Sequence, residues 1–160
     1  MSEENRATIE RFYGAFGRLD GAAMEACYAP DVHFRDPVFE DLYGPEAGAM
    51  WRMLTGNATD LEIQLASHSA EGDTGRANWI ATYTFRTGRK VVNDIDAGFR
   101  FGPGGLIADH VDSFGLWKWS RQALGPVGLL AGWTPIVQNG IRRQAHQQLE
   151  RFMADEHEVG

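Results

Sequence analysis

The chain has 160 residues, 43% of them apolar, and a formal net charge of −7, which suits one domain with one core and speaks against a general affinity for nucleic acid or anionic membrane. One cysteine, Cys27, excludes an internal disulfide and a zinc site built on thiolates. No apolar run approaches the roughly 20 residues of a membrane span, and no cationic-then-apolar segment opens the chain, so a cytoplasmic protein is the expectation.

The elements can be read in order. In "SEENRATIERFYGAFGRLD" the residues Ile9, Phe12, Tyr13, Phe16 and Leu19 recur at helical intervals. Asp20 can cap a second short helix running through Met24 and Cys27 to Tyr28, stopped by Pro30. Cys27 reads as buried filler. "GPEAGAMWRMLTGN" predicts a third helix with Pro45 in its first turn and Met50, Trp51 and Leu54 on its apolar face. The period then becomes two. Leu61, Ile63 and Leu65 alternate with polar residues. Trp79, Ala81, Tyr83 and Phe85 share one face of the next strand, and Val91, Ile95, Ala97, Phe99 and Phe101 one face of another. "GPGG" turns the chain into "LIADHVDSF". Strands joined by short turns pair antiparallel. Helices first and a meander afterwards predict an α+β domain over residues 1–116, the helices packed on one sheet face. Residues 117–160 form an apolar, Gly- and Pro-punctuated segment and then a helix with Ile141, Ala145, Leu149 and Phe152 on one stripe. That stripe must cover either the open end of the sheet or a second subunit.

This order of elements resembles the nuclear transport factor two-like superfamily, and within it the ketosteroid isomerases, limonene epoxide hydrolases and SnoaL-like polyketide cyclases. The resemblance spans roughly residues 4–116 and is carried by "ERFYGAFGRLDGAAMEACYAPDVHFRDP" and by "FRF" followed by a Gly-rich turn and a strand ending "FG". It implies a cone-shaped, curved antiparallel sheet with three N-terminal helices packed over an apolar cavity, and a C-terminal helical extension. It also implies acid–base chemistry without a cofactor or metal, on a small hydrophobic carbonyl, steroid or polyketide-like compound, in a homodimer.

The resemblance puts Asp36 at the isomerases' general base. A carboxylate beside Phe34, Val38 and Phe39 loses hydration and gains basicity; by its sequence alone, Asp36-Pro37 reads first as an Asx-type turn before the helix at Pro45. Phe12 occupies the position of the isomerases' helix tyrosine, with Tyr13 adjacent. Ala97 occupies that of their second acid, and Asp96 points to the opposite face unless a bulge intervenes. His110 and Asp112 alternate onto one strand face, where the hydrolases and cyclases carry a carboxylate; they could equally be a satisfied pair stiffening the sheet. Arg76 and Asn78 fall about two residues from the Arg-x-Asp of the epoxide hydrolases. His33, Asp36, His110 and Asp112 have no recognised metal spacing. Phe12, Tyr13, Phe34 and Trp51 are candidates to line a ligand site from the first half of the chain. Trp79, Tyr83, Phe99 and Phe114 are candidates from the strands; each could instead be ordinary core. Three functions follow for testing: an isomerase, cyclase or epoxide hydrolase-like enzyme, a non-catalytic binder of a small hydrophobic molecule, or a scaffold.

Overall fold

The computed structural model describes residues 2–159; Met1 and Gly160, the ends of the two predicted segments, lie outside them. Helix α1 spans Ser2–Gly17 and buries Ile9, Phe12, Tyr13 and Phe16, the stripe its spacing predicts. Asp20 caps α2 (Gly21–Glu25) by accepting a hydrogen bond from the Ala23 N–H. The helix ends earlier than predicted, because Tyr28 already opens strand β1 (Tyr28–Arg35). Pro30 lies inside that strand, where the register shifts between Tyr28 and His33, so no ladder bond is asked of its missing N–H. After the two-residue β2 (Leu42–Tyr43), α3 runs Pro45–Asn57 with Pro45 at its start.

Strands β3 (Glu62–Glu71), β4 (Thr74–Thr84), β5 (Lys90–Phe101) and β6 (Ile107–Ser113) form the antiparallel meander the turn spacing predicts. The sheet order is β2-β1-β6-β5-β4-β3. The sheet is mixed, because β1 joins β6 in parallel. A short connection cannot make such a pairing, so the turn rule that finds the meander is silent about it.

Ala77, Trp79 and Ala81 on β4, Ile95, Ala97 and Phe99 on β5, and His110 and Asp112 on β6 are buried toward the helices. The rest of the chain packs back onto this same domain. Helix α4 (Leu116–Leu124) joins Val91 in a second apolar cluster through Leu116, Trp119 and Ala123. The short α5 (Pro126–Ala131) lies on α4, and the long α6 (Pro135–Val159) places Leu149 in the main core, with Ala145 and Phe152 against it. Arg52 of α3 is paired with Glu156 of α6. The predicted stripe therefore closes over its own chain.

Candidate functional site

Asp36 stands where β1 ends. Its N–H donates to the Phe39 carbonyl, and its Oδ1 accepts from the N–H groups of Val38 (2.7 Å) and Phe39 (2.6 Å). The residue makes the predicted turn with one oxygen only, since its Oδ2 takes no hydrogen bond from the described residues. Asp36 keeps an accessible edge, yet neighbouring atoms crowd the carboxyl closely enough that desolvation pushes its pKa up to about 7. The Phe39 N–H pulls the other way, the charge of Asp112 pushes further up, and the Val38 N–H adds a smaller downward pull. The turn is tied from outside by α6. Arg142 Nε donates to the Pro37 carbonyl at 2.8 Å, and the ring of His146 meets Phe39 edge-on at 5.3 Å.

The second carboxylate belongs to a buried polar chain. Trp51 Nε1 lies 2.7 Å from the Tyr28 hydroxyl, that hydroxyl 2.7 Å from His110 Nδ1, and His110 Nε2 2.9 Å from Asp112 Oδ1. Trp79 Nε1 reaches the same Asp112 oxygen at 3.4 Å. The indole N–H can only donate, so Tyr28 accepts from Trp51 and has its own proton to give to His110 Nδ1. His110 then carries its proton on Nε2 and donates it to Asp112. This assignment satisfies every member of the chain with a neutral imidazole. His110 is fully buried, boxed by Phe99 at 4.5 Å, Phe34 at 5.0 Å and Phe12 at 5.5 Å between ring centres. It positions Asp112.

Tyr13 completes the set. Its ring packs 5.7 Å from Trp79 and 6.4 Å from Phe99. Among the described residues its hydroxyl is the one sealed side-chain polar atom without a hydrogen-bond partner. Burial, and then the charge of Asp112, hold its pKa well above the usual phenol value, so it keeps its proton. A buried donor of this kind costs stability on the order of 1–3 kcal/mol, which calls for an acceptor.

The strand register fixes the faces of Asp96 and Asp112. β4 and β5 pair without a bulge from Thr74↔Arg100 to Thr84↔Lys90, so Asp96 stays on the outer face, bonded to Asn78. Ala97, however, pairs directly with Asp112. Directly opposed residues share a sheet face, so β6 brings an acidic residue whose Cβ stands about 5 Å from that of the alanine. Phe99 pairs in the same way with His110.

The other predicted residues divide. Phe12, Phe34, Trp51 and Phe99 surround His110, while Tyr13 and Trp79 adjoin Asp112. Tyr83 is elsewhere: its hydroxyl accepts from Trp119 Nε1 at 2.7 Å, and with Phe114 it bridges the two apolar clusters. Arg76 is exposed on the outer face beside Asn78. His33 pairs with Asp41 and stacks on Tyr43, and among the described residues no group of three His, Cys, Asp or Glu is placed to hold a metal ion. The helix prediction through Tyr28 concealed its role, although Tyr28, Val32 and Phe34 already alternate at even spacing in "YAPDVHF". Arg142 carries no such signal; only the tertiary path of α6 brings it to Pro37.

A sequence model of the SnoaL-like domain matches residues 9–110, more than half the chain. The chain belongs to the SnoaL-like family. The SnoaL-like match begins at Ile9 inside α1, ends at His110, and stops short of Asp112 and the C-terminal helices. Solved structures share the fold. An LEH-like epoxide hydrolase from M. tuberculosis is 18% identical with a TM-score of 0.66, covering 81% of this chain and 96% of that one. An NTF2-like protein of unknown function from Burkholderia pseudomallei is 20% identical with a TM-score of 0.65, covering 76% and 98%. A candidate polyketide cyclase from Xanthomonas campestris pv. campestris is 22% identical with a TM-score of 0.64, covering 76% and 97%. No match is found among curated proteins. At these identities the likeness speaks for architecture alone.

Proposed function

We propose that this SnoaL-like protein is an acid–base enzyme of the isomerase or cyclase type, acting without a cofactor on a small hydrophobic carbonyl compound. The observation that carries the reading is that Asp36, with a pKa of about 7, is raised partly by the charge of Asp112. A base poised near neutrality can take a proton from the carbon beside a carbonyl and return it elsewhere. Its Oδ2 is the working atom, since Oδ1 is committed to the turn. The negative charge that grows on the substrate oxygen needs a donor, and the Tyr13 hydroxyl is a protonated one lacking an acceptor. Asp112, held by His110 and Trp79, keeps its charge and raises the basicity of Asp36, and the Asp36 carboxyl itself hands the proton back to the substrate.

The exposed position of Arg76 and the commitment of Asn78 to Asp94 and Asp96 weigh against the epoxide hydrolases' machinery in this chain. The test is a screen of enolisable ketones and epoxides against the native protein, Asp36→Asn and Asp112→Asn. Ketone turnover lost in Asp36→Asn supports the reading. Epoxide opening alone, or ketone turnover unchanged in both variants, contradicts it. Ligand binding without turnover points to a carrier instead.

A further inference from the structure

The α4–α5 hairpin and the start of α6 hold none of the residues assigned to the proposed site. From Gly125 to Ile141 the sequence holds no charged residue. Gly128 packs α5 onto α4 so closely that a Cβ would stand 1.9 Å from the Ser120 carbonyl oxygen. The remaining side chains of α5 therefore turn outward. Leu130 is 76% exposed, Trp133 62% and Ile136 85%, and Val127 and Leu129 join them. Monomeric soluble proteins rarely leave so many large apolar side chains together in water.

Beside this apolar tip runs a groove of about 550 Å³ between the β4–β5 turn and α4, lined by Gly88, Arg89, Lys90, Lys118, Arg121 and Gln122. It holds four cations and no carboxylate, in a chain whose net charge is −7. None of the four is in an ion pair among the described residues. Arg89 abuts the hairpin corner at Gly125 and donates to the Gln122 carbonyl, and Arg121 lies over the Trp117 ring at 4.6 Å. The cations and the apolar tip are thus parts of one surface. The overall acidity, which argues against anionic membranes when read from composition, is not spread evenly.

We propose that this surface docks peripherally on an anionic lipid bilayer. Trp117, Leu129, Leu130, Trp133 and Ile136 enter the headgroup boundary, and Arg89, Lys90, Lys118 and Arg121 meet the lipid phosphates. An apolar face flanked by tryptophan and unpaired cations has the composition of an interfacial anchor. A second copy of the chain fits less well, because a two-fold contact through this patch would bring the two sets of unpaired cations together. No helix of the described residues is long and apolar enough to cross a membrane, so the contact is one of surface adhesion.

The experiment is co-sedimentation of the full chain with vesicles of phosphatidylcholine alone and of two parts phosphatidylcholine to one part phosphatidylglycerol, with tryptophan fluorescence read in parallel. The expected result is pelleting and a blue shift only with the phosphatidylglycerol vesicles, weakening as salt rises. The double variant Lys118→Glu/Arg121→Glu should bind about tenfold more weakly or worse. Ile136→Ser should also weaken binding; its side chain is exposed, and retained thermal stability confirms that it folds. No pelleting with either vesicle overturns the proposal, as does equal pelleting with both. A dimer in sedimentation velocity that Ile136→Ser dissociates overturns it in favour of self-association. Ketone turnover in the absence of vesicles is independent of all these outcomes.

Discussion

Nε2 of His110 stands 2.9 Å from Oδ1 of Asp112, and the other ring nitrogen is capped at 2.7 Å by the Tyr28 hydroxyl. Burial holds the Tyr28 pKa well above the ordinary phenol value, so Tyr28 does not pass its proton on. The chain from Trp51 to Asp112 therefore fixes an orientation and a tautomer; it is not a route for protons to solvent.

Tyr28→Phe should be costly in consequence. It leaves His110 Nδ1 and Trp51 Nε1 buried without a partner, at about 1–3 kcal/mol for each orphaned group. Chemical denaturation of the two proteins measures the difference. Equal stabilities would mean that the four residues do not form a connected network.

Asp36 makes stability depend on pH in a stated direction. Its folded pKa of about 7 exceeds the ordinary 3.8, so the folded state favours the protonated form. Its contribution to stability is full below pH 3.8 and is lost as pH rises through about 7. Asp36→Asn keeps an oxygen for the Val38 and Phe39 N–H groups and cannot ionise. It should be more stable than the native protein at pH 8, by at most about 4 kcal/mol, less because solvent reaches the half-buried carboxyl. The advantage should shrink toward pH 4. Denaturation midpoints across this range give the answer, and a constant difference would contradict the assigned environment.

Tyr13→Phe separates a ligand role from a structural one. Removing a sealed hydroxyl that lacks a partner should leave stability unchanged or raise it by about 1 kcal/mol. With a ketone substrate, the same change should lower kcat by about 100- to 1000-fold through loss of an oxyanion donor. A destabilised variant would show that the hydroxyl already has a structural partner.

Two glycines of the C-terminal region should respond oppositely to alanine. Gly128→Ala drives a Cβ into the Ser120 carbonyl, which is backbone and cannot swing away, so it should cost about 1–3 kcal/mol. Gly140→Ala, inside α6 with its nearest neighbour 4.0 Å away at Arg143, should gain up to about 1 kcal/mol. Thermal melts of both variants test the hairpin packing on which the proposed membrane face depends.

What could be read from the sequence followed from local periodicity and turn chemistry. The α1 stripe, the Pro45 start of α3, the meander and the shared face of His110 and Asp112 are all encoded within a few residues. The position of Asp36 at a strand-to-turn junction follows from Pro37 in the same way. What stayed hidden depends on distant partners. The parallel pairing of β1 with β6 brings Tyr28 to His110, across 82 positions of sequence. The pairing of Ala97 with Asp112 sets an acidic residue of one strand directly opposite the alanine of the next, which a comparison along a single strand cannot reveal. Arg142 reaches Pro37 only because α6 folds back over the domain.

The central claim is that the carboxyls of Asp36 and Asp112 share one poorly hydrated site. Carbon-13 NMR titration of the Asp36 carboxyl, in the native protein and in Asp112→Asn, tests it most directly. A midpoint near 7 that falls when Asp112 loses its charge is the predicted result. An Asp36 midpoint near the ordinary 3.8, or one near 7 that Asp112→Asn leaves in place, would contradict it.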